Sequence, residues 1–208
     1  MKLLIATRNK DKLIEIKEIL KDLDLKIISA YDIPGMPDVI EDRETIEGNA
    51  IKKAEECAAF SGLYALADDT GLFVEALDGE PGVYSSRYAG ESCSYEDNRA
   101  KLLQEINGEI NRRAAFRTVV AFASPQGLIA IAEGEVEGEI TENDIGTGGF
   151  GYDAIFRAKE SGKTFGEMSQ AEKEKISHRG RAFRKMLPIV TQISGLRKRR
   201  FFIKTKRR

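Results

Sequence analysis

Asp68 and Asp69, followed by Thr70 and Gly71, form the stretch of this chain best equipped for chemistry. Two neighbouring carboxylates repel, so a cation is expected to neutralise them. A hard divalent ion such as Mg²⁺ fits, because it combines few protein carboxylates with water and phosphate oxygens. An ordinary aspartate turn would use the same residues. Other parts of the chain tip the balance. Thr7-Arg8-Asn9-Lys10-Asp11-Lys12 places a hydroxyl, an amide and lysines at the start of a helix, a composition that suits an anion because helix-start N–H groups point outward. Glu41, Asp42, Glu44 and Glu47 crowd the start of a second helix. The helix dipole accounts for most of them, and one remains available as a further metal carboxylate. Lys52 and Lys53 follow as surface charges or phosphate ligands. Gly146, Gly148, Gly149 and Gly151 flank Phe150, Tyr152 and Asp153, which permits close backbone approach to a flat ligand beside a stacking ring.

The elements that must position these residues follow from periodicity. Leu3 to Ala6 and Leu25 to Ser29 are predicted as strands, and Asp11 to Leu20 as an amphipathic helix carrying Leu13, Ile16, Ile19 and Leu20. A helix is predicted over about Thr45 to Phe60. Tyr64 to Ala67 reads as a short buried strand ending at the two aspartates, and Leu72 to Leu77 as another. Asp78 to Gly90 is a long loop of a kind that is usually functional or disordered. Ser94 to Ile106 reads as a capped helix, and Ala114–Ser124 with Leu128–Val136 as a hairpin that makes the sheet mixed. Ser169-Gln170-Ala171-Glu172 is a capping box opening a short helix that contains Lys173. A further helix begins near Ser177, His178 and Arg179.

Composition bounds the class. The chain has 208 residues, 41% apolar and 32% charged, as expected of a soluble globular protein with a real core. Cys57 and Cys93, in unrelated contexts, suggest neither a disulfide framework nor a zinc site. No signal peptide or membrane span is visible, so a reducing cytoplasm is the expectation. Eight of the 33 basic residues lie in residues 196–208, leaving 25 bases against 34 acids, a net −9, in the body. That acidic body argues against a broad nucleic-acid footprint. The tail reads as a solvated or expression-derived extension.

The ordered motifs resemble the inosine triphosphate pyrophosphatase family. The likeness rests on Ala6-Thr7-Arg8-Asn9 with Lys12, Glu41, Asn49-Ala50, Lys53-Ala54, Ala67-Asp68-Asp69-Thr70-Gly71-Leu72 and Pro81-Gly82-Val83-Tyr84-Ser85 with Arg87-Tyr88. It continues through Gly149-Phe150-Gly151-Tyr152-Asp153, Lys173 and Ser177-His178-Arg179-Gly180. The resemblance implies a mixed α/β fold of two lobes around a nucleotide cleft over residues 1–196, a homodimer, Mg²⁺ dependence, and hydrolysis of ITP, dITP or XTP to monophosphate and pyrophosphate. It implies that the segment Thr7 to Lys12, with Lys53, holds the triphosphate. Asp69 becomes general base and metal ligand, with Asp68 and Glu41 as further metal carboxylates and Thr70 touching substrate. Phe150, Gly151, Tyr152, Asp153, Lys173, His178 and Arg179 become the base-and-sugar pocket, with Arg179 and backbone N–H groups donating to a 6-keto oxygen. Asp42 or Glu44 could replace Glu41, and residues 197–208 have no counterpart. A non-catalytic nucleotide sensor and a nucleic-acid module built on the tail are the competing classes.

Overall fold

A computed structural model describes residues 1–195; the basic tail lies outside the described residues. The chain runs β1 (Lys2–Ile5), α1 (Lys10–Leu20), β2 (Lys26–Ser29), α2 (Ile46–Ser61), β3 (Tyr64–Val74), β4 (Pro81–Gly82), α3 (Tyr95–Glu105), β5 (Arg113–Ser124), β6 (Gly127–Ile140), β7 (Phe156–Ala158), α4 (Gln170–Ile176) and α5 (His178–Ser194). The expected mixed α/β sheet is present, in the order β2-β1-β3-β5-β6-β7, with β4 also on β3. β1 pairs parallel with both β2 and β3, whereas the remaining pairings are antiparallel.

Strand order 2-1-3 forces α1 and α2 onto opposite faces, since both crossovers are right-handed. The packing agrees. Leu13, Ile16 and Leu20 of α1 join Phe183, Met186 and Val190 of α5 on the face carrying Leu3, Ile5, Leu66, Val120 and Phe122. Ala50, Ala54, Cys57 and Ala58 of α2 cover Leu4, Ala65, Ala67, Val119 and Ala121 on the other. A third cluster, around Leu72, Val74, Leu102, Phe116, Val136, Phe156 and Phe165, builds the far half of the sheet with α3 and β7. No helix among the described residues is long and apolar enough to cross a membrane.

One expectation is corrected here. The two aspartates do not end a strand: β3 continues through them to Val74, with Asp68 opposite Val120 and Asp69 opposite Val119 of β5. The stretch expected as a separate strand supplies the end of β3, followed by a short helical turn at Glu75–Leu77. Pairing along the whole of β5 overrides the polar run that reads locally as a turn. The long loop after it is ordered: Ser85 donates to the Gly82 carbonyl at 2.6 Å and accepts from Leu72 N–H at 2.8 Å.

Candidate active site

β1 stops at Ile5, opposite Leu66 of its parallel neighbour β3, while β3 runs on. The crevice beyond the carboxyl end of a strand whose flanking helices lie on opposite faces is where α/β sheets bind ligands. Asp68 and Asp69 occupy that position. Successive side chains of a strand face opposite sides, so the two aspartates have different surroundings.

Asp68 and Thr70 face α5. Arg179, opening α5 and 2% exposed, donates to Asp68 Oδ2 from Nε at 3.2 Å and Nη2 at 3.1 Å, and to Thr70 Oγ1 at 3.2 Å. Lys12 Nζ lies 3.2 Å from the same Asp68 oxygen. Glu15 of α1, 6% exposed, pairs with both Arg179 and Lys173, the latter at 2.7 Å, and Lys173 also holds Asp153. Three carboxylates therefore face three cations. Burial alone would raise the Asp68 pKa, but Lys12, Arg179 and Lys53 more than reverse it and hold this carboxyl well below the usual range. Arg179 and Lys173 likewise outweigh burial at Glu15.

Asp69 faces α2. Lys53 Nζ sits between its Oδ1 at 3.1 Å and Glu41 Oε1 at 2.6 Å, and donates to the Asp68 carbonyl at 2.8 Å. Asn49 Nδ2 donates to Asp69 Oδ2 at 3.3 Å. Asp69 thus has no cation of its own: it shares Lys53 with Glu41, which Arg87 approaches only at 3.8 Å. Burial, with Glu41 adding repulsion, raises the Asp69 pKa despite Lys53 and Lys12. Lys12 and Arg179 reach the Asp68 carboxylate from one face of β3, and Lys53 reaches the Asp69 carboxylate from the other. The alternatives to Glu41 also separate. Asp42 pairs with Lys52 at 2.8 Å and Glu44 is exposed, so Glu41 alone of the three meets Asp69 through a common partner.

The Thr7–Lys12 segment forms the rim. Asn9 caps α1, its Oδ1 accepting from the N–H groups of Asp11 at 2.9 Å and Lys12 at 3.0 Å, while Thr7 Oγ1 accepts from Asn9 N–H at 3.1 Å. The cap takes two of the helix-start N–H groups. Lys12 points at Asp68, whereas Lys10 is exposed and Arg8 turns away to the Met36 carbonyl at 2.7 Å.

At the opposite end, Asp153 Oδ2 accepts from Phe150 N–H at 2.8 Å, and the Phe150 ring lies 4.8 Å from Lys173 Nζ and 5.7 Å from the Arg179 guanidinium. Gly149, at φ +71°, makes this turn possible, because a Cβ there would fall 2.0 Å from Asp153 Oδ2. That glycine makes room for the protein's own carboxylate. Gly134 does the same for α5: a Cβ would meet the His178 carbonyl at 2.1 Å, so the helix start seats directly on β6. Gly151 is half-buried and open, with its carbonyl held by Arg99 at 2.8 Å. Tyr152 and His178 are buried behind the site. Tyr152 donates to the Ser85 carbonyl at 2.9 Å, and His178 stacks on Phe116 at 4.5 Å. Burial, then Arg179 and Lys173, keep the imidazole neutral. Arg179, expected to present free donors, has its guanidinium engaged by Asp68, Glu15 and Thr70.

The Ham1 family profile matches residues 3–189, nearly the whole described chain. This chain belongs to the Ham1 family. Among its relatives, the dITP/XTP pyrophosphatase of Geobacter sulfurreducens is 50% identical over 183 residues, covering 87% of this chain and 92% of that protein. The dITP/XTP pyrophosphatase of Desulforamulus reducens is 47% identical over 93% of this chain and 97% of its own. The structure of the Staphylococcus aureus Ham1 protein superposes with a TM-score of 0.83 at 37% identity, covering 93% of this chain and all of that one. The resemblance drawn from the motifs is borne out.

Three residues of this Ham1-family site are given no role by the sequence reading. Glu15 links Lys173 to Arg179, Asn49 orients Asp69, and Tyr95 touches both the rim and Phe150. Asn49 had a visible signal, a polar residue on the inner, alanine-rich face of α2. Glu15 had only the helical wheel, on which it lies beside Ile19, four residues on.

Proposed function

We propose that this enzyme is a nucleoside triphosphate pyrophosphatase that hydrolyses non-standard purine nucleoside triphosphates, ITP, dITP and XTP, to the monophosphate and pyrophosphate. The observation that carries the reading is the pair Asp69 and Glu41, two carboxylates converging on one ammonium at the crevice beyond β1. The names of the Geobacter and Desulforamulus relatives support the substrate class.

The donor set fits a hard divalent cation. Two carboxylate oxygens already flank one cationic group, and Asp69 holds no counter-ion to itself. Few protein oxygens plus phosphate and water is the arrangement Mg²⁺ prefers. Glu41 and Asp69 would hold it; Asp68, engaged by Arg179 and Lys12, would not. When bound, the ion would neutralise phosphate charge and polarise a phosphoryl oxygen. Asp69, its carboxyl oriented by Asn49 and its proton affinity raised by burial, takes the proton of a water attacking the α-phosphorus. Pyrophosphate leaves. Lys12 and Lys53 offset the charge that shifts onto the departing oxygens, and this stabilisation outweighs base catalysis, which contributes about 10²–10⁴-fold. Phe150 offers the stacking face for the base.

Hypoxanthine and xanthine carry a 6-keto acceptor where adenine carries an amino donor. Because Arg179 is engaged, the first-turn N–H groups of α5 at His178 and Arg179, which have no carbonyl within the helix, are the donors we assign to that oxygen. Adenine would leave them unpaired, a mismatch worth roughly 10⁴-fold in a dry site. A homodimer belongs to the same reading and is checked by sedimentation. The test of function is a panel of ITP, XTP, dITP, GTP and ATP with Mg²⁺, with products identified. Monophosphate plus pyrophosphate from the keto purines, with little from ATP, is expected; diphosphate plus phosphate, or no turnover, would contradict the reading.

A further inference from the structure

Tyr95 opens α3, in the third hydrophobic cluster, yet its side chain reaches across to α1 in another. Ser94 and Asp97 form a reciprocal cap around it, Ser94 Oγ accepting from Asp97 N–H at 3.1 Å and Asp97 Oδ2 accepting from Ser94 N–H at 2.9 Å, which fixes the backbone from which the ring projects. The hydroxyl accepts from Asn9 Nδ2 at 3.1 Å and donates to Asp11 Oδ2 at 3.0 Å. This is the one consistent proton assignment: Asn9 Oδ1 is occupied by two backbone N–H groups, so Nδ2 must face Tyr95, and the phenol proton goes to the carboxylate. Burial and Asp11 raise the phenol pKa, outweighing the Asn9 donor, so the proton stays. The ring stands 5.8 Å from Phe150 at 44°, the separation of an aromatic pair in contact. No base fits between them, so Tyr95 buttresses Phe150. Among the described residues, Tyr95 is the α3 side chain hydrogen-bonded to α1 and its cap.

We infer that Tyr95 is a positioning residue with two separable jobs: its hydroxyl locks the Asn9 amide that organises the phosphate end, and its ring backs Phe150 at the base end. This rests on the function proposed above. Without the hydroxyl, Asn9 Nδ2 loses its partner and the side chain can rotate away from its cap, loosening the turn that carries Lys12. Without the ring, Phe150 loses its neighbour as well.

The two jobs are told apart by Tyr95→Phe and Tyr95→Ala, assayed for ITP turnover with inhibition by pyrophosphate and by inosine monophosphate. For Y95F, KM for ITP is expected to rise about three- to ten-fold with kcat within about two-fold, and pyrophosphate inhibition to weaken in step while monophosphate inhibition holds. Y95A should weaken both inhibitors, with Y95F restoring the monophosphate alone. Y95F at wild-type KM, or equal loss of both inhibitors in Y95F, would overturn the assignment while leaving the proposed function standing. Wild-type protein that releases no pyrophosphate from any purine triphosphate would overturn both.

Discussion

The two faces of β3 treat adjacent, chemically identical side chains in opposite ways. On the α5 face, Asp68 lies in a closed set of three acids and three bases, and its carboxyl is held far into the ionised range. On the α2 face, Asp69 shares one lysine with Glu41 and its pKa is raised. Strand alternation sorts the pair: one carboxylate pairs with two bases, and the other shares a single lysine and has its proton affinity raised by burial.

The comparison can be broken most sharply at the chemical face. Asp69→Asn is expected to lower ITP turnover by about 10²–10⁴-fold with a much smaller loss of nucleotide binding, checked by steady-state kinetics and calorimetry. Stability should hold or rise, because a desolvated carboxylate is removed. Asp68→Ala should show the reverse ranking. It leaves Arg179 and Lys12 facing a vanished charge, which costs about 3–5 kcal/mol in denaturant unfolding.

A smaller effect sharpens the same contrast. Glu15→Gln keeps the size of the side chain but leaves Lys173 and Arg179 short of charge. About 1–3 kcal/mol of stability should be lost, with KM affected more than kcat. The smallest effect is the pH dependence of the metal-free protein. Asp68 and Glu15 have folded pKa values below their unfolded ones, so their contribution is complete above about pH 5 and is lost as pH falls through the folded values. Asp69 has the opposite sign, its ionisation costing stability as pH rises through its folded value. Thermal midpoints of wild-type and D69N from pH 3 to 7 should therefore diverge toward the neutral end, with D69N the higher.

What the sequence made legible was local or patterned. The capping boxes at Ser94 and Ser169 stand where their spacing puts them, and α1, α2 and the β5–β6 hairpin fall within a few residues of the periodicity. Lys53 does join Glu41 to Asp69, Lys12 does reach Asp68, and Phe150 does lie over Lys173 and Arg179. Non-local pairing hid the rest. Asp-Asp-Thr-Gly reads as a break, and only β5 alongside keeps it extended. Hydropathy also inverts within one turn of α1: Ile14 is 61% exposed and Glu15 6%. An acid is buried there because Lys173 and Arg179 arrive from helices more than 150 residues away in sequence. Arg179 reads as a free donor for the same reason, since its partners lie on α1 and β3.

The central claim, that the cation belongs to Asp69 and Glu41 and not to Asp68, is tested most directly by calorimetric titration of Mg²⁺ into wild-type protein and into the folded E41Q, D69N and D68N variants. Binding lost in E41Q and D69N but kept in D68N is the expected result. Binding kept in D69N and lost in D68N would contradict it.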